Sequence, residues 1–223
     1  ANITPKALTV TGSTISNKVY DGTNVANISG GLLSGIVSGD SVTLTESAVF
    51  GQSNVGSNLA VTVMDSVGGT SSGNYTLTQP TGLTGSITAK ALTVNGTVVS
   101  NKVYDGTRVA TVSGASLAGV IAGESIGLVQ AGTFASANIG TGLAVTIANT
   151  LTNNSDGNYT LVQPTGLSAD ITPKTLTVSG TSVANKIYNG NDTASVSGGV
   201  LVGVISGETV NLTQAGRFSQ SSA

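Results

Sequence analysis

The chain of 223 residues contains no cysteine, no histidine and no tryptophan. Without cysteine there is no disulfide, no thiolate nucleophile and no thiolate metal ligand. Without histidine there is no Ser-His-Asp or Cys-His relay and no imidazole metal site. Charge is scarce as well. Eight Lys and Arg face ten Asp and Glu, so charged residues make up 8% and the net charge is −2, where an average soluble domain carries roughly 25% charged residues. So few cations neutralise few phosphates, which argues against nucleic acid as a partner. Aromatic residues are only 4%, a poor supply of platforms for stacking sugars. No apolar run approaches the roughly 20 residues that cross a bilayer, so membrane insertion is not expected. No signal-peptide pattern opens the chain. It does not begin with Met and is expected to be a segment of something longer.

What is abundant is glycine, 31 residues, about twice its usual share of roughly 7%. Most of the remainder is Thr, Ser, Val, Ala, Leu, Asn and Ile. Hydrophobic residues reach 39%, enough to build packed cores, and the composition is not that of a disordered chain.

The sequence is periodic. NKVYDGT at 17–23 returns at 101–107, and NKIYNGN stands at 185–191. Tyr20, Tyr104 and Tyr188 are therefore 84 residues apart. ITPKALTV, ITAKALTV and ITPKTLTV begin at Ile3, Ile87 and Ile171, while GNYTL and QPTGL each occur twice, at Gly73 and Gly157 and at Gln79 and Gln163. Phe50, Phe134 and Phe218 keep the same phase, and so do the acids Asp40, Glu124 and Glu208. The expected domains are repeat 1 over 1–86, repeat 2 over 87–170 and an incomplete repeat 3 over 171–223. The third copy lacks the counterpart of GNYTL–QPTGL, through truncation, completion by a neighbouring chain, or a domain boundary inside the repeat.

Within a copy, apolar and polar residues alternate. Leu8 and Val10, Val42 and Leu44, Leu59 to Val63, and Tyr75 and Leu77 each follow a period of two, the mark of half-buried strands. Gly, Asn, Asp and Ser between them supply turns. The expected fold is all-β: tandem, small β-sandwich-like modules, Ig-like or β-grasp-like, in an elongated array. A β-helix is the competing all-β form, but no shorter period divides the 84 residues. Segment 32–37, with its equivalents 117–121 and 201–205, is the one place where a short helical turn fits. The link at 86–90 is short, strand-like and free of a Gly/Ser-rich stretch, which predicts stiff joints.

The Tyr-Asp-Gly triplet is the strongest local signal. Its residues are Tyr20, Asp21 and Gly22, then Tyr104, Asp105 and Gly106, then Tyr188, Asn189 and Gly190. It reads as a strand ending in a tight turn. Tyr packs its ring and offers its hydroxyl to a backbone partner, Asp bonds the backbone two residues on, and Gly takes positive φ. Asn189 can do the work of Asp in such a turn, so a catalytic carboxylate is not expected there. The other acids form no glycosidase pair and no calcium cluster. No catalytic residue, cofactor or metal is expected. A second reading gives the repeated lysines an amide crosslink: Lys6, Lys18, Lys90 or Lys102 to Asn74 or Asn158, with Asp40 and Glu124 as the assisting acids. The alternative places these lysines on sheet edges, where they oppose edge-to-edge pairing.

KVYDGT, the preceding KALTV, the Gly-Asp or Gly-Glu before an alternating strand and the GNYTL–QPTG–ITxK exit together resemble the YDG-type repeats of large secreted bacterial surface proteins, such as filamentous-haemagglutinin-like adhesins and biofilm proteins. The resemblance spans nearly the whole chain. It implies an extracellular or cell-surface location and a structural stalk or scaffold role in an adhesin or biofilm-matrix protein, with no enzymatic activity. The partners expected on this reading are neighbouring repeats of the same chain, like molecules, a cell surface or matrix polysaccharide. The alternatives are a subunit of a self-assembling extracellular filament and a repeat that itself binds a glycan or ice.

Overall fold

The computed structural model describes residues 1–222. They are all-β, and among them the only helical element is a single 3-10 turn at Ser72–Asn74. Repeat 1 shows how the strands are used. In chain order they are β1 (Lys6–Thr11), β2 (Thr14–Ser16), β3 (Lys18–Val19), β4 (Val25–Ser29), β5 (Leu32–Ser34), β6 (Thr43–Thr45), β7 (Ala48–Phe50), β8 (Gly56–Val63), β9 (Ser66–Gly68), β10 (Tyr75–Thr78) and β11 (Thr84–Thr88).

These strands alternate between two sheet systems. The first holds the sheet β10-β1-β5 and the β6–β9 pair; the second is a six-stranded, barrel-like sheet in the order β2-β4-β7-β8-β11-β3. β1 is central, parallel to β10 and antiparallel to β5. The larger sheet closes with a parallel pair, Ile87 opposite Lys18 and Thr88 opposite Val19. At its curl, Gly85 of β11 passes beneath Ile15 of β2 and the Phe50 ring. Only Ala89 separates β11 from the next strand, Lys90–Asn95.

The alternation read from the sequence is the alternation of burial. Leu8 and Val10 point inward from β1, and Val61 and Val63 from β8. Segment 32–37 departs from its reading. It begins as β5, paired with β1, and its equivalents Ser116–Ala118 and Val200–Val202 are strands as well. Gly35 ends β5 at φ +102°, pressed against Leu8. Positive φ stops a right-handed helix before it starts.

The chain divides into two compact units, the first made of 1–97, 114–130 and 149–164, the second of 98–113, 131–148 and 165–223. Repeat 2 is shared between them, because its two sheet systems fall in different units. The first unit holds all of repeat 1's strands and the sheet formed by Ser116–Ala118, Lys90–Asn95 and Tyr159–Val162. Its core joins Phe50 and Tyr20 of repeat 1 to Ile87, Leu92 and Tyr159 of repeat 2. The second unit holds a five-stranded sheet around Phe134 and Ile171, and the short strand pairs of repeat 3.

Candidate functional site

NKVYDGT folds as a compact turn in which each polar letter has a partner. Asn17 Oδ1 accepts from the Ser86 N–H at 2.8 Å, fastening the turn to β11; Asn101 does the same for Asp170. The Lys18 ammonium donates to Thr23 O (2.9 Å), Thr23 Oγ1 (3.0 Å) and Val25 O (3.0 Å), and lies 2.7 Å from Asp21 Oδ1. Asp21 Oδ1 also accepts from the Thr23 N–H at 2.9 Å, an Asx turn. Gly22, Gly106 and Gly190 stand at φ +79°, +77° and +81°. Partial desolvation pushes the Asp21 carboxyl up, but Lys18 and the two Thr23 donors outweigh it and bring it down to about 2. Asp105, bound first by Lys102 and then by Thr107, is also held down at about 2. Asn189 accepts more loosely, at 3.4 Å from the Asn191 N–H, while Lys186 turns to Asn191.

Tyr20 points out of this turn to a partner 104 residues away. Its hydroxyl donates to Glu124 Oε1 at 2.6 Å, not to a backbone group. Tyr159 donates to the other oxygen, Oε2, at 2.7 Å, and its own oxygen accepts the Ile121 N–H at 3.1 Å. The two rings meet edge to face, 5.4 Å apart at 81°, a favourable aromatic geometry. One carboxylate of repeat 2 thus joins the YDG tyrosine of repeat 1 to the GNYTL tyrosine of its own repeat. The junction shows in the ionisation of its members. The bond to Glu124, then burial, pushes Tyr20 up to about 12. Burial first, then Glu124, raises Tyr159. Glu124 is lowered by the two tyrosine donors, Tyr20 first.

The inter-repeat bond of this device recurs in the second unit, where the Tyr104 hydroxyl donates to Glu208. Half of it stands in repeat 1: Tyr75 donates to Asp40 Oδ2 at 2.5 Å and accepts the Val37 N–H at 3.0 Å. The YDG glycine lies at these contacts. A Cβ on Gly22 would sit 3.4 Å from Ile121 Cγ2 and 3.6 Å from Glu124 Oε1. Gly106 meets Ile205 and Glu208 in the same way. The sequence singles out Asp40, Glu124 and Glu208 as in-phase acids, but not their role. The clue is one repeated acid accompanied by two repeated tyrosines per copy.

Beside the junction, Asn158 Oδ1 accepts the Val55 N–H at 2.9 Å and its Nδ2 donates to Asn54 at 3.1 Å. Gln79 clamps the backbone of Asp65 through both N–H and C=O (2.9 and 2.8 Å), and Gln163 clamps Asn149. The lysines considered for a crosslink are placed differently. Lys18 and Lys102 spend their ammonium groups on the turn. The Lys90 backbone N–H bonds Asn158 O, but its side chain runs the other way, over Gly119. Lys6 is exposed, its backbone opposite Tyr75, next to Asn74. No hydrogen bond among the described residues links any of these ammonium groups to Asn74 or Asn158.

A family model for the YDG domain matches residues 4–82, 88–166 and 172–223. The chain belongs to the YDG domain family. No curated protein and no solved structure matches it. The three YDG matches follow the 84-residue period, and the Tyr-Asp-Gly turn of the first two copies is the place where one YDG repeat grips the next.

Proposed function

We propose that this YDG array is a spacer segment of a secreted bacterial surface protein, an adhesin stalk or a biofilm-matrix scaffold. Its function on this reading is mechanical, and it performs no chemistry. The observation that supports it most is the junction itself: Tyr20–Glu124 and Tyr104–Glu208 join successive repeats in the same phase. At the first of these joints a buried tyrosine, a carboxylate shared by two tyrosines and a one-residue connector resist bending, since bending would strand a buried hydroxyl or carboxylate without its partner. Repeated without insertion, such joints make a stiff, elongated series whose useful property is its length.

Small-angle scattering on the purified segment tests this. The expected profile is that of an extended rod, and a compact or freely jointed particle overturns it. Surface labelling of cells expressing the parent protein tests the location: the repeats are expected outside the cell, and labelling only after lysis refutes the proposal.

A further inference from the structure

Beside the tyrosine junction of the first unit lies a cavity of about 280 Å³. Repeat 1 contributes Tyr20 and Asn54 to its wall, and repeat 2 contributes Glu124, Ser125 and the loop 153–156. All of these residues belong to the first unit. The cavity is at the small end of ligand sites, which hold roughly 300–1,000 Å³ and are mostly apolar. This one is polar, and Ile126 is the one aliphatic side chain among the described residues that line it.

Two acids face the cavity. Glu124 holds a tyrosine hydroxyl on each oxygen, and each oxygen has a further acceptor position. The tyrosine donors, Tyr20 first, lower Glu124 and keep it charged at neutral pH. Asp156 is exposed and accepts Asn54 Nδ2 on Oδ2 at 3.2 Å. Both acids act on one hydroxyl: Tyr20 is pushed up first by its bond to Glu124, then by burial, and the charge of Asp156 adds to these. No lysine or arginine is among the described residues of the wall, so a balancing positive charge has to come with the ligand. Calcium is a poor match, since it takes roughly six to eight oxygens. The amide oxygens that would complete its shell are committed, Asn54 to Asn158, Asn158 to the Val55 N–H and Asn154 to the Tyr159 N–H.

The loop is peculiar to repeat 2. One period earlier, Gly69, Thr70, Ser71 and Ser72 stand in place of Asn153, Asn154, Ser155 and Asp156. Asn153 keeps the left-handed backbone of its counterpart, φ +59° against +97° for Gly69. Glycine adopts that conformation more easily than asparagine. Repeat 2 therefore gives up backbone ease and gains an amide on the cavity wall.

We propose that this cavity binds an amino sugar, a pyranose with a free ammonium group, such as a glucosamine residue of a polysaccharide. The ammonium group sits between Asp156 and Glu124. The ring hydroxyls bond the Asn153 amide and the Ser125 and Ser155 hydroxyls, which both donate and accept. The C–H face of the ring rests on Ile126. Charge and hydrogen bonds carry the recognition, so it needs none of the stacking platforms that the composition lacks. The site is independent of the spacer reading: a rod that binds no sugar and a flexible chain that binds one are told apart by scattering and titration.

NMR titration of the isotope-labelled full chain with a glucosamine tetramer tests the proposal, with glucose and N-acetylglucosamine tetramers as controls. The amides of 153–157 and Asn54 should shift, with one tetramer bound per chain, and both controls should bind more weakly. Asp156→Asn keeps the oxygen that Asn54 reaches and removes the charge. It should weaken binding about tenfold, the usual worth of one hydrogen bond to a charged group. Asn153→Gly installs the residue of repeat 1 and should weaken binding severalfold. Both positions are exposed, and both variants should keep the wild-type midpoint in urea. Absence of shifts up to millimolar tetramer overturns the proposal. So do equal affinities for the three tetramers, or an Asp156→Asn variant that binds as wild type. Calcium that shifts the loop where the glucosamine tetramer does not would make this a cation site and overturn it as well.

Discussion

Tyr20 and Glu124 set the chemistry of the junction, and their bond responds to mutation and to pH. Tyr20→Phe removes one hydroxyl and leaves the ring in place. It should destabilise the first unit by about 2 kcal/mol, the usual worth of a hydrogen bond to a charged group, measured by urea denaturation. Tyr20 is raised from 10.0 to about 12. A raised value means that its contribution is complete below pH 10 and disappears as pH climbs through about 12. The wild type should therefore lose stability over that alkaline window and Tyr20→Phe should lose less. Asp21 and Asp105 work in the opposite direction. Each is lowered from 3.8 to about 2, so the turns keep their support above pH 3.8 and lose it as pH falls through about 2. Acid unfolding of Asp21→Asn should be correspondingly shallower than that of wild type. Intact-mass measurement should return the unmodified sequence, because Lys18 and Lys102 are held by their turns; a deficit of one ammonia would mean that a lysine had found an asparagine. The Asx turn was legible in the sequence because Asp21 and Thr23 are neighbours. The carboxylate that receives Tyr20 was not, because 104 residues separate them and only strand register brings them together.

At the scale of the element, the strands were legible and their partners were not. Leu8 and Val10 announce β1 by alternation alone. Nothing local tells that β1 joins β10 and β5 while β2, its neighbour in sequence, goes to another sheet. The repeats do carry a packing signature. Gly85 lies under Ile15 and Phe50, where a Cβ would fall 2.7 Å from Ile15 Cγ2. One period later the same places hold Ala169 and Val99. A methyl group has moved from one strand to the next while the total volume is kept, the kind of exchange that cores tolerate. Gly85→Ala alone should therefore cost about 1–3 kcal/mol through overpacking. Adding Ile15→Val should restore most of the loss, and a double-mutant cycle in chemical denaturation reads the coupling.

Across the whole molecule, burial is uneven. The cores of the first two repeats hold Phe50, Ile87, Phe134 and Ile171 at no more than 2% exposure. Beyond Thr172, Ala194 is the one apolar side chain among the described residues that is buried. Hydrogen exchange should accordingly be slowest in β7, β8 and Gly140–Ile147, and faster by orders of magnitude throughout repeat 3. Uniform protection along the three copies would contradict this. One further consequence follows from the direction of two neighbouring strands. β1 and β10 open and close the first sheet system of a repeat, and they run parallel, Lys6 beside Tyr75 through Thr9 beside Thr78. A force applied to the chain draws β1 toward its beginning and β10 toward its end. The two must then slide past each other lengthwise, and all four register pairs are strained together. An antiparallel hairpin pulled at its open end would instead unzip, losing its bonds in succession. Under tension each such sheet acts as a shear clamp, breaking at once or not at all.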